Sequence, residues 1–381
     1  MKIVQVNCSA AATQQDLARL ALAQPHLVLV FGSVAHICRP GLLQSLRQAL
    51  PGAMLAGCST AGEISDAGVG DDTLVLTALH FEAPDVRLAV TDLRDMGDSF
   101  GAGQRLAQAL SATALHSVML FGLGVNINGS ALIDGLRSGL PAGVGISGGL
   151  AGDGGAFSRT FTLSTHAVSS EQIVAVGFGA ARTVLSHGSL HGWQPFGPAR
   201  QVTRSEGNVL YELDGERALE VYRRYLGEHA AGLPATGLLF PFEMQDAHQQ
   251  GPALIRTILG VDAEAGSLVL AGDILAGGQL RLMHASIDSL VIGAEAAAQS
   301  VCRSGPGIAG DSLALMVTCV GRKLVMGARV DEEVEAVAAV LGAGCHRAGF
   351  YSYGEISPGI DGSDCSLHNQ TMTITHLSER V

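Results

Sequence analysis

The sequence has few charges, few aromatic residues and no extended basic or apolar run. Charged residues make up 15% of the 381 positions and aromatic residues 4%. No Lys/Arg-rich segment occurs and the formal net charge is -12, so nucleic acid and anionic membrane are poor partners. The longest apolar runs, such as 27–31, are far below the length that spans a membrane.

Paired cysteine motifs and a signal sequence are also lacking. The seven cysteines are scattered without a Cys-x-x-Cys pair, which favours reduced thiols in a cytoplasm over a disulfide framework. The segment from Met1 to Val6 is typical of a strand and is too short and polar for a signal peptide. The sequence therefore predicts a soluble cytoplasmic protein.

Aliphatic residues and glycine are what the sequence has in abundance. Hydrophobic residues make up 47% of the chain and glycine occupies 50 positions, which predicts many tight turns around an aliphatic core. The apolar runs 27–31 and 118–121 are typical of strands covered on both faces, and helical patterns alternate with such strands. Thr13 with Asp16 predicts one helix start, and Ser130 predicts another.

The order of these elements predicts an α/β fold. Consecutive strands without helices around 235–285 favour mixed sheets over purely parallel ones. A change of character between about Phe196 and Asn208 leads us to place an amino-terminal domain at 1–200 and a carboxy-terminal domain at 201–381. We expect two related mixed-sheet α/β halves packed around a shared central ligand site.

One short phrase occurs in both halves. Cys58–Ser65 and Phe350–Ser357 both end in Gly-Glu-Ile-Ser, and each follows an apolar run, a helical pattern and a Gly-rich turn. A glutamate at such a strand end can aim its carboxylate at a cavity, so Glu63 and Glu355 are candidates for one site. The alternative, that both carboxylates only hold local backbone, stays open.

Three enzyme motifs match as strings and fail in their context. The segment 305–310 fits the dinucleotide fingerprint, but a helical pattern precedes it and a strand pattern follows, which reverses the required order. The segment 145–149 fits the nucleophile elbow around Ser147, but the glycines after it disfavour the helix that an elbow needs. Cys58 lacks a clear neighbouring cation that would activate its thiol. Acyl transfer through Ser147 or Cys58 is the enzyme alternative, and we expect no enzyme.

Two histidines precede the single tryptophan. His187 and His191 have a spacing that binds metal on a helix, but Gly188 and Gly192 disfavour a helix there. One neutral imidazole beside Trp193 could instead be an axial ligand of haem iron. A loop histidine hydrogen-bonded to backbone is the alternative.

Eight segments, in one order, carry a family resemblance. They are 57–64, 126–129, 148–153, 192–197, 208–215, 238–241, 349–356 and 367–373. With these segments the chain resembles a full-length FIST protein, and the match covers nearly its whole length. The resemblance implies an intracellular sensory module for a small ligand such as an amino acid.

The chain also resembles a stand-alone branch of this family, which comprises haem proteins that sense nitric oxide. Members of that branch regulate a separately encoded histidine kinase or cyclic-di-GMP enzyme, and through it biofilm behaviour. The resemblance therefore implies haem, with His187, His191 or His284 as the iron ligand. We expect a cytoplasmic nitric oxide sensor of this type, and the sequence leaves a homodimer open.

The alternative ligand is an amino acid or a similar polar solute. The glutamates of the repeated phrase would then meet its ammonium group, and the amides of 126–128 its carboxylate. The expected ligand-binding residues are Gly62, Glu63, Asn126, Asn128, Tyr353, Gly354, Glu355 and Asn369. The expected cofactor-binding residues are His187, His191, Trp193 and His284, with His187 and His191 as metal ligands.

Overall fold

The computed structural model describes residues 1–111, 115–179, 182–246, 253–304, 311–358 and 365–380. In these ranges the chain forms three similar α/β units and one inserted lobe. A search of the described helices finds none that is both long and apolar enough to cross a membrane. The segment 305–310, which matches the dinucleotide fingerprint, lies outside the described residues.

The first unit contains two parallel strands flanked by antiparallel ones. Its elements are β1 (Lys2–Cys8), α1 (Gln14–Leu22), β2 (Leu27–Gly32), α2 (Val34–Ile37), α3 (Leu42–Ala49), β3 (Met54–Ser59), β4 (Glu63–Ser65), β5 (Gly68–Gly70) and β6 (Leu74–His80). Thr13 caps α1 as predicted, because its hydroxyl accepts from Asp16 N (3.2 Å) while the Asp16 carboxylate accepts from Thr13 N (2.9 Å).

The second unit repeats this order. Its elements are β7 (Val86–Asp92), α4 (Ser99–Leu110), β8 (Leu115–Gly122), α5 (Gly129–Gly139), β9 (Gly145–Leu150), β10 (Thr162–Ser164), β11 (Val168–Ser169) and β12 (Gln172–Gly179). A short 3₁₀ helix, Met96–Asp98, precedes α4. Asn128, and not Ser130, caps α5: its side chain accepts from Ala131 N at 3.0 Å.

The third unit is interrupted after its first strand, β13 (Thr183–Leu190), by the inserted lobe. The lobe contains β14 (Gln194–Pro195), β15 (Arg200–Glu206), β16 (Val209–Leu213), β17 (Glu216–Arg217), α6 (Ala218–Leu226), β18 (Phe242–Gln245), β19 (Leu254–Arg256), β20 (Ile258–Asp262), β21 (Ser267–Leu270) and β22 (Gln279–His284). Its strands form one sheet with its own apolar core. Two 3₁₀ helices, Gly227–Gly232 and Ala235–Leu239, follow α6.

The third unit resumes after the lobe. Its remaining elements are α7 (Ile287–Ser304), β23 (Ser312–Cys319), α8 (Val320–Met326), α9 (Asp331–Leu341), β24 (Cys345–Ser352), β25 (Gly354–Ser357), β26 (Ser366–His368) and β27 (Met372–Glu379). A 3₁₀ helix, Gly327–Arg329, joins α8 to α9.

Each unit gives two short strands to the sheet of another unit. The three sheets have the orders β1-β6-β2-β3-β10-β11, β7-β12-β8-β9-β25-β26 and β13-β27-β23-β24-β4-β5. In every sheet the third and fourth strands are parallel and the last two come from a different unit. The exchange is cyclic, so each unit is covalently continuous but completes its sheet with a neighbour.

The core lies where the three sheets face one another. Phe31, Phe121 and Phe350, one from each sheet, meet there with ring centroids 4.8–6.3 Å apart. The outer faces of the sheets are covered by helices, α1 and α3 on the first, α4 and α5 on the second, α7 and α9 on the third. Both faces of the parallel strands are therefore buried, which explains their continuous apolar runs.

The α/β class with mixed sheets is confirmed. The expected relation between two parts of the chain extends to a third part, the unit between the two Gly-Glu-Ile-Ser phrases. The position equivalent to Glu63 and Glu355 in that unit is Thr162, because Thr162 pairs with Cys58 as Glu63 pairs with Phe350 and Glu355 with Gly149. The domain boundary near residue 200 stays a prediction.

Candidate functional site

The carboxyl ends of the second parallel strands meet around the axis that relates the three units. Three equivalent backbone hydrogen bonds close this ring: Gly152 N to Ser59 O (2.9 Å), Ala61 N to Tyr351 O (2.8 Å) and Tyr353 N to Leu150 O (3.1 Å). In each unit the acceptor lies two positions, and the donor four positions, after an equivalent glycine: Gly57, Gly148 or Gly349. A Cβ at any of the three glycines would collide with the backbone of the adjacent parallel strand.

Glu63 lies beside this ring in a closed hydrogen-bond system. One carboxylate oxygen accepts from the Thr60 hydroxyl, and the other accepts from Thr73 N (3.0 Å) and Thr73 Oγ1 (2.6 Å). Burial raises the pKa of Glu63, and the hydroxyl and amide donors together with Lys323 oppose that rise. The preceding residue, Gly62, has a φ of +135°.

Glu355 is arranged in the same way in the third unit. Its carboxylate accepts from Ser352 Oγ (2.5 Å) and from Thr371 N (3.1 Å). Complete burial raises its pKa to about 8, against the lowering effect of the two hydrogen bonds. Gly354 precedes it in β25, opposite Leu150. Both glutamates thus face partners from their own chain, and their assignment to a ligand stays a prediction that these contacts do not support.

A cavity of about 350 Å³ lies between the second unit, the end of the third unit and the inserted lobe. The loop after β8 forms one wall, β21 and the residues after it form another, and the segment that joins β26 to β27 contributes to a third. Polar side chains in the described lining are Asn126, Asn128, Asn208, Asp273, Tyr353 and Asn369. Four of these, Asn126, Asn128, Tyr353 and Asn369, are expected ligand-binding residues, and the structure brings them together. Gly62, Glu63, Gly354 and Glu355 do not line this cavity.

Asn369 is the most deeply buried polar residue of this lining. Its side chain is 1% exposed, and its carboxamide oxygen has no hydrogen-bond partner among the described groups. A buried amide without a partner is costly by about 1–3 kcal/mol. Almost none of this oxygen is accessible, so Asn369 lines the cavity with its other atoms.

The other predicted cavity residues are held by their surroundings. Asn126 has a left-handed φ of +57° and is exposed. Asn128 is fixed at the start of α5 by its bond to Ala131 N and by donation of its own N–H to Ser99 Oγ at 3.0 Å. The Tyr353 hydroxyl donates to the Asp153 carboxylate and accepts from Gly155 N at 2.9 Å. These contacts fix the shape of the cavity before any ligand enters.

Sequence reasoning missed three residues that line the cavity with aromatic or polar side chains. Phe157 stacks on the Tyr353 ring with centroids 4.1 Å apart and 13° between the planes. Asn208 donates to Leu270 O at 2.9 Å, and Asp273 is the one charged residue of the described lining. Asn208 begins one of the segments that carry the family resemblance, which was a usable signal. Phe157 and Asp273 belong to no such segment.

The candidate haem ligands lie elsewhere. His187 sits within β13 opposite Thr375, with 3.4 Å between its Nδ1 and the threonine hydroxyl. His191 Nδ1 accepts from Trp193 N at 3.0 Å. Burial lowers the pKa of both histidines to about 4, so both are neutral. His284 forms an edge contact with Phe196 in the lobe.

These histidines do not fit an iron site. None of the three lines any of five prominent cavities in the described part of the chain. Trp193 is also engaged, because its indole N–H donates to Gln370 O at 2.9 Å. A search of the described residues finds no group of three His, Cys, Asp or Glu that could hold a metal ion. The packing therefore gives the expected haem and metal ligands no support, since a haem ligand must border a slot wide enough for the macrocycle.

The alternative nucleophiles are equally enclosed. Ser147 lies in β9 with no exposed surface, and its hydroxyl has no partner among the described groups, so no base is hydrogen-bonded to it. Cys58 lies in the central core, where burial raises its thiol pKa well above the usual value. A buried neutral thiol is not a nucleophile. These surroundings do not support acyl transfer at either residue.

Comparison with known proteins agrees with the resemblance of the motifs. The FIST N domain matches residues 26–216 and the FIST C domain matches residues 218–358. An uncharacterized protein of Methanocaldococcus jannaschii, MJ1623, is 30% identical over 159 residues, which span 38% of this chain and 30% of that protein's length. A crystal structure of cyanuric acid hydrolase from A. caulinodans aligns over 100% of this chain and 99% of its own, with 12% identity and a TM-score of 0.39. A likeness at that score carries no argument about chemistry. The two domain matches show that the chain belongs to the FIST family, whose domains are small-ligand sensory domains.

Proposed function

We propose that the protein senses a small polar ligand, which binds in the cavity bounded by Asn126, Asn128, Tyr353 and Asn369. The single observation that carries this proposal is the cavity of about 350 Å³ in which four of the expected ligand-binding residues meet, Asn126, Asn128, Tyr353 and Asn369. A concave site lined mainly by apolar side chains, with a few polar groups, is typical of a site for a small ligand.

The narrower proposal of a haem-bound nitric oxide sensor needs an imidazole at the edge of a slot. The packing of His187, His191 and His284 does not provide one, so we propose a sensor that binds its ligand without haem. An absorbance spectrum of the protein mixed with haemin tests this choice. A Soret band that disappears when His187 and His191 are replaced would favour the haem version.

We further propose that a separately encoded histidine kinase or cyclic-di-GMP enzyme detects the liganded state. This part rests on the family resemblance. Ligand binding can signal only if the ligand binds one arrangement of the cavity walls more tightly than another. Two of these walls belong to different parts of the chain, the second unit and the inserted lobe.

The proposal is tested by replacing Asn369 with leucine, which has the same branching at Cγ but is larger and has no polar atom. A panel of the twenty amino acids and the free bases adenine, cytosine and uracil is screened by thermal shift with the wild-type protein and with Asn369→Leu. We expect a ligand that raises the wild-type Tm and leaves the Tm of Asn369→Leu unchanged. The unliganded variant should be less stable than the wild type by about 1–3 kcal/mol, because the larger side chain overpacks a buried position.

Asn7→Leu is the matched control, since Asn7 lies on β1, away from the cavity. It should keep the full ligand response. An equal response in Asn369→Leu and wild type, or no response to any compound, would contradict the proposal.

A further inference from the structure

The cavity's chemistry narrows the class of ligand. Four carboxamides, Asn126, Asn128, Asn208 and Asn369, line it, together with the single carboxylate of Asp273. No lysine, arginine or histidine occurs among its described lining residues. A carboxamide offers a donor and an acceptor side by side, so it suits a ligand edge with the complementary pair. An anionic ligand would find no cation among these side chains.

Two aromatic side chains, Phe157 and Tyr353, line the same cavity. Phe157 is 38% exposed and stacks on Tyr353, which is itself fixed by its hydroxyl bonds to Asp153 and Gly155. Phe157 N donates to Asp153 Oδ1 at 2.9 Å, and Phe157 adopts a left-handed φ of +50°. A bulky residue adopts this conformation only where its surroundings impose it. The ring is therefore held in place before a ligand arrives.

Phe157 lies in an addition to the chain that, among the three units, only the second unit contains. Gly148 and Thr162 are 14 residues apart, whereas the equivalent pairs Gly57–Glu63 and Gly349–Glu355 are 6 residues apart. The middle unit thus contains 14 − 6 = 8 additional residues. They include Phe157, so the addition contributes an aromatic side chain to the described lining of this cavity.

We propose that the ligand is a planar, uncharged nitrogen heterocycle of the nucleobase kind. Its ring would stack on the Phe157–Tyr353 pair, and its polar edge would pair with the exposed carboxamide of Asn126. The exposed apolar side chains of Met96 and Leu259 border the cavity and would cover the rest of the ring. This inference rests on the proposed function and adds the ligand's chemical class to it.

Isothermal titration of the full chain with adenine, cytosine and uracil tests the inference. Adenosine 5′-monophosphate and phenylalanine serve as charged comparisons. We expect at least one free base to bind. We expect the monophosphate to bind at least about tenfold more weakly, because the described lining of the cavity offers no cation to its phosphate. Phe157→Leu keeps an apolar side chain but removes the stacking surface, and should weaken base binding about 5- to 10-fold.

The matched control is Phe196→Leu, an exposed phenylalanine of the lobe that does not line the cavity. It should leave base binding unchanged. Failure of all three bases to bind overturns the inference, as does a base affinity that Phe157→Leu does not alter. If an amino acid alone binds, and Asn369→Leu abolishes that binding, the heterocycle class is wrong while the proposed function stands. Binding that is indifferent to Asn369→Leu would overturn the proposed function itself.

Discussion

At the residue scale, the two buried glutamates show how a strand end keeps a carboxyl group away from water. Glu63 and Glu355 each have a hydroxyl donor three residues earlier and a backbone N–H donor from a threonine later in the chain. The donors lower the pKa of each carboxyl and burial raises it more. These residues hold the acidic turns in place whether or not they meet a ligand.

Replacing Glu355 with glutamine should change how stability depends on pH. The Glu355 pKa is about 8 in the folded protein against an ordinary value of 4.5, so the folded state binds more protons between these two pH values. The free energy of unfolding therefore falls as pH rises from about 4.5 to 8. Glu355→Gln lacks this titration and should be more stable than the wild type at pH 8.5 by roughly 2–4 kcal/mol.

Urea denaturation at pH 5, 7 and 8.5 measures the difference. Glu216→Gln provides the control, since Glu216 is exposed and pairs with Arg224. Its pKa is lowered by that pair, so it does not titrate in this range. Parallel stability curves for wild type and Glu355→Gln would show that Glu355 is ionised in the folded protein at neutral pH.

At the element scale, the turn between β26 and β27 links the cavity to the lobe. Asn369 lines the cavity, and Thr371 N donates to Glu355. Between them, Gln370 adopts a left-handed φ of +58°, donates to Leu238 O at 2.9 Å, and accepts from the Trp193 indole. Asn369, Gln370 and Thr371 therefore contact the cavity, the lobe and Glu355, in that order. Because they are consecutive, a displacement of one should displace the other two.

The single tryptophan should report ligand binding through this turn. We expect the panel compound that binds most tightly to shift the emission of Trp193, because its indole bond to Gln370 adjoins Asn369. Gln370→Gly tolerates the left-handed backbone and keeps the carbonyl that accepts from the indole, but loses the side-chain bond to Leu238 O. It should therefore keep both the binding measured by calorimetry and most of the emission change. An emission spectrum unaltered at saturation would rule out coupling by this route.

At the scale of the whole molecule, the three units depend on one another because they exchange strands. No unit completes its own sheet, and the ring of three hydrogen bonds fixes the relative positions of the strand ends. Gly57, Gly148 and Gly349 allow this ring, since only glycine lets the second parallel strand lie so close to the first.

Alanine at these glycines should destabilise the whole protein. Gly57→Ala and Gly349→Ala place a Cβ against the carbonyl oxygens of Val30 and Met316, and we expect each to reduce the free energy of unfolding by about 3 kcal/mol or more. Gly52→Ala is the control, because no atom lies within 4 Å of its Cβ position. Urea denaturation should show that variant within about 0.5 kcal/mol of the wild type. A small effect at Gly57 and Gly349 would mean that the strands can separate without loss of the fold.

Much of the α/β architecture follows from local sequence. The apolar runs 27–31 and 118–121 form doubly covered strands, and the Thr13 capping box starts α1, as predicted. The predicted start of α5 was wrong by two residues, because Asn128, and not Ser130, caps this helix by accepting a hydrogen bond from Ala131 N. Half of the predicted ligand residues line one cavity, because motifs that carry the family resemblance include its loops.

The sequence by itself determined which segments become buried strands and capped helices, since periodicity and capping act between residues a few positions apart. Only the tertiary structure decided which sheet would include the two short strands that follow the ring of backbone hydrogen bonds in each unit. It also revealed that the second unit is equivalent to the other two, a relation hidden by Thr162 in place of glutamate and by the eight-residue addition. The cavity joins Asn128, Asn208 and Asn369, which lie 80 or more positions apart. Such contacts depend on how sheets pack, and no local pattern specifies that.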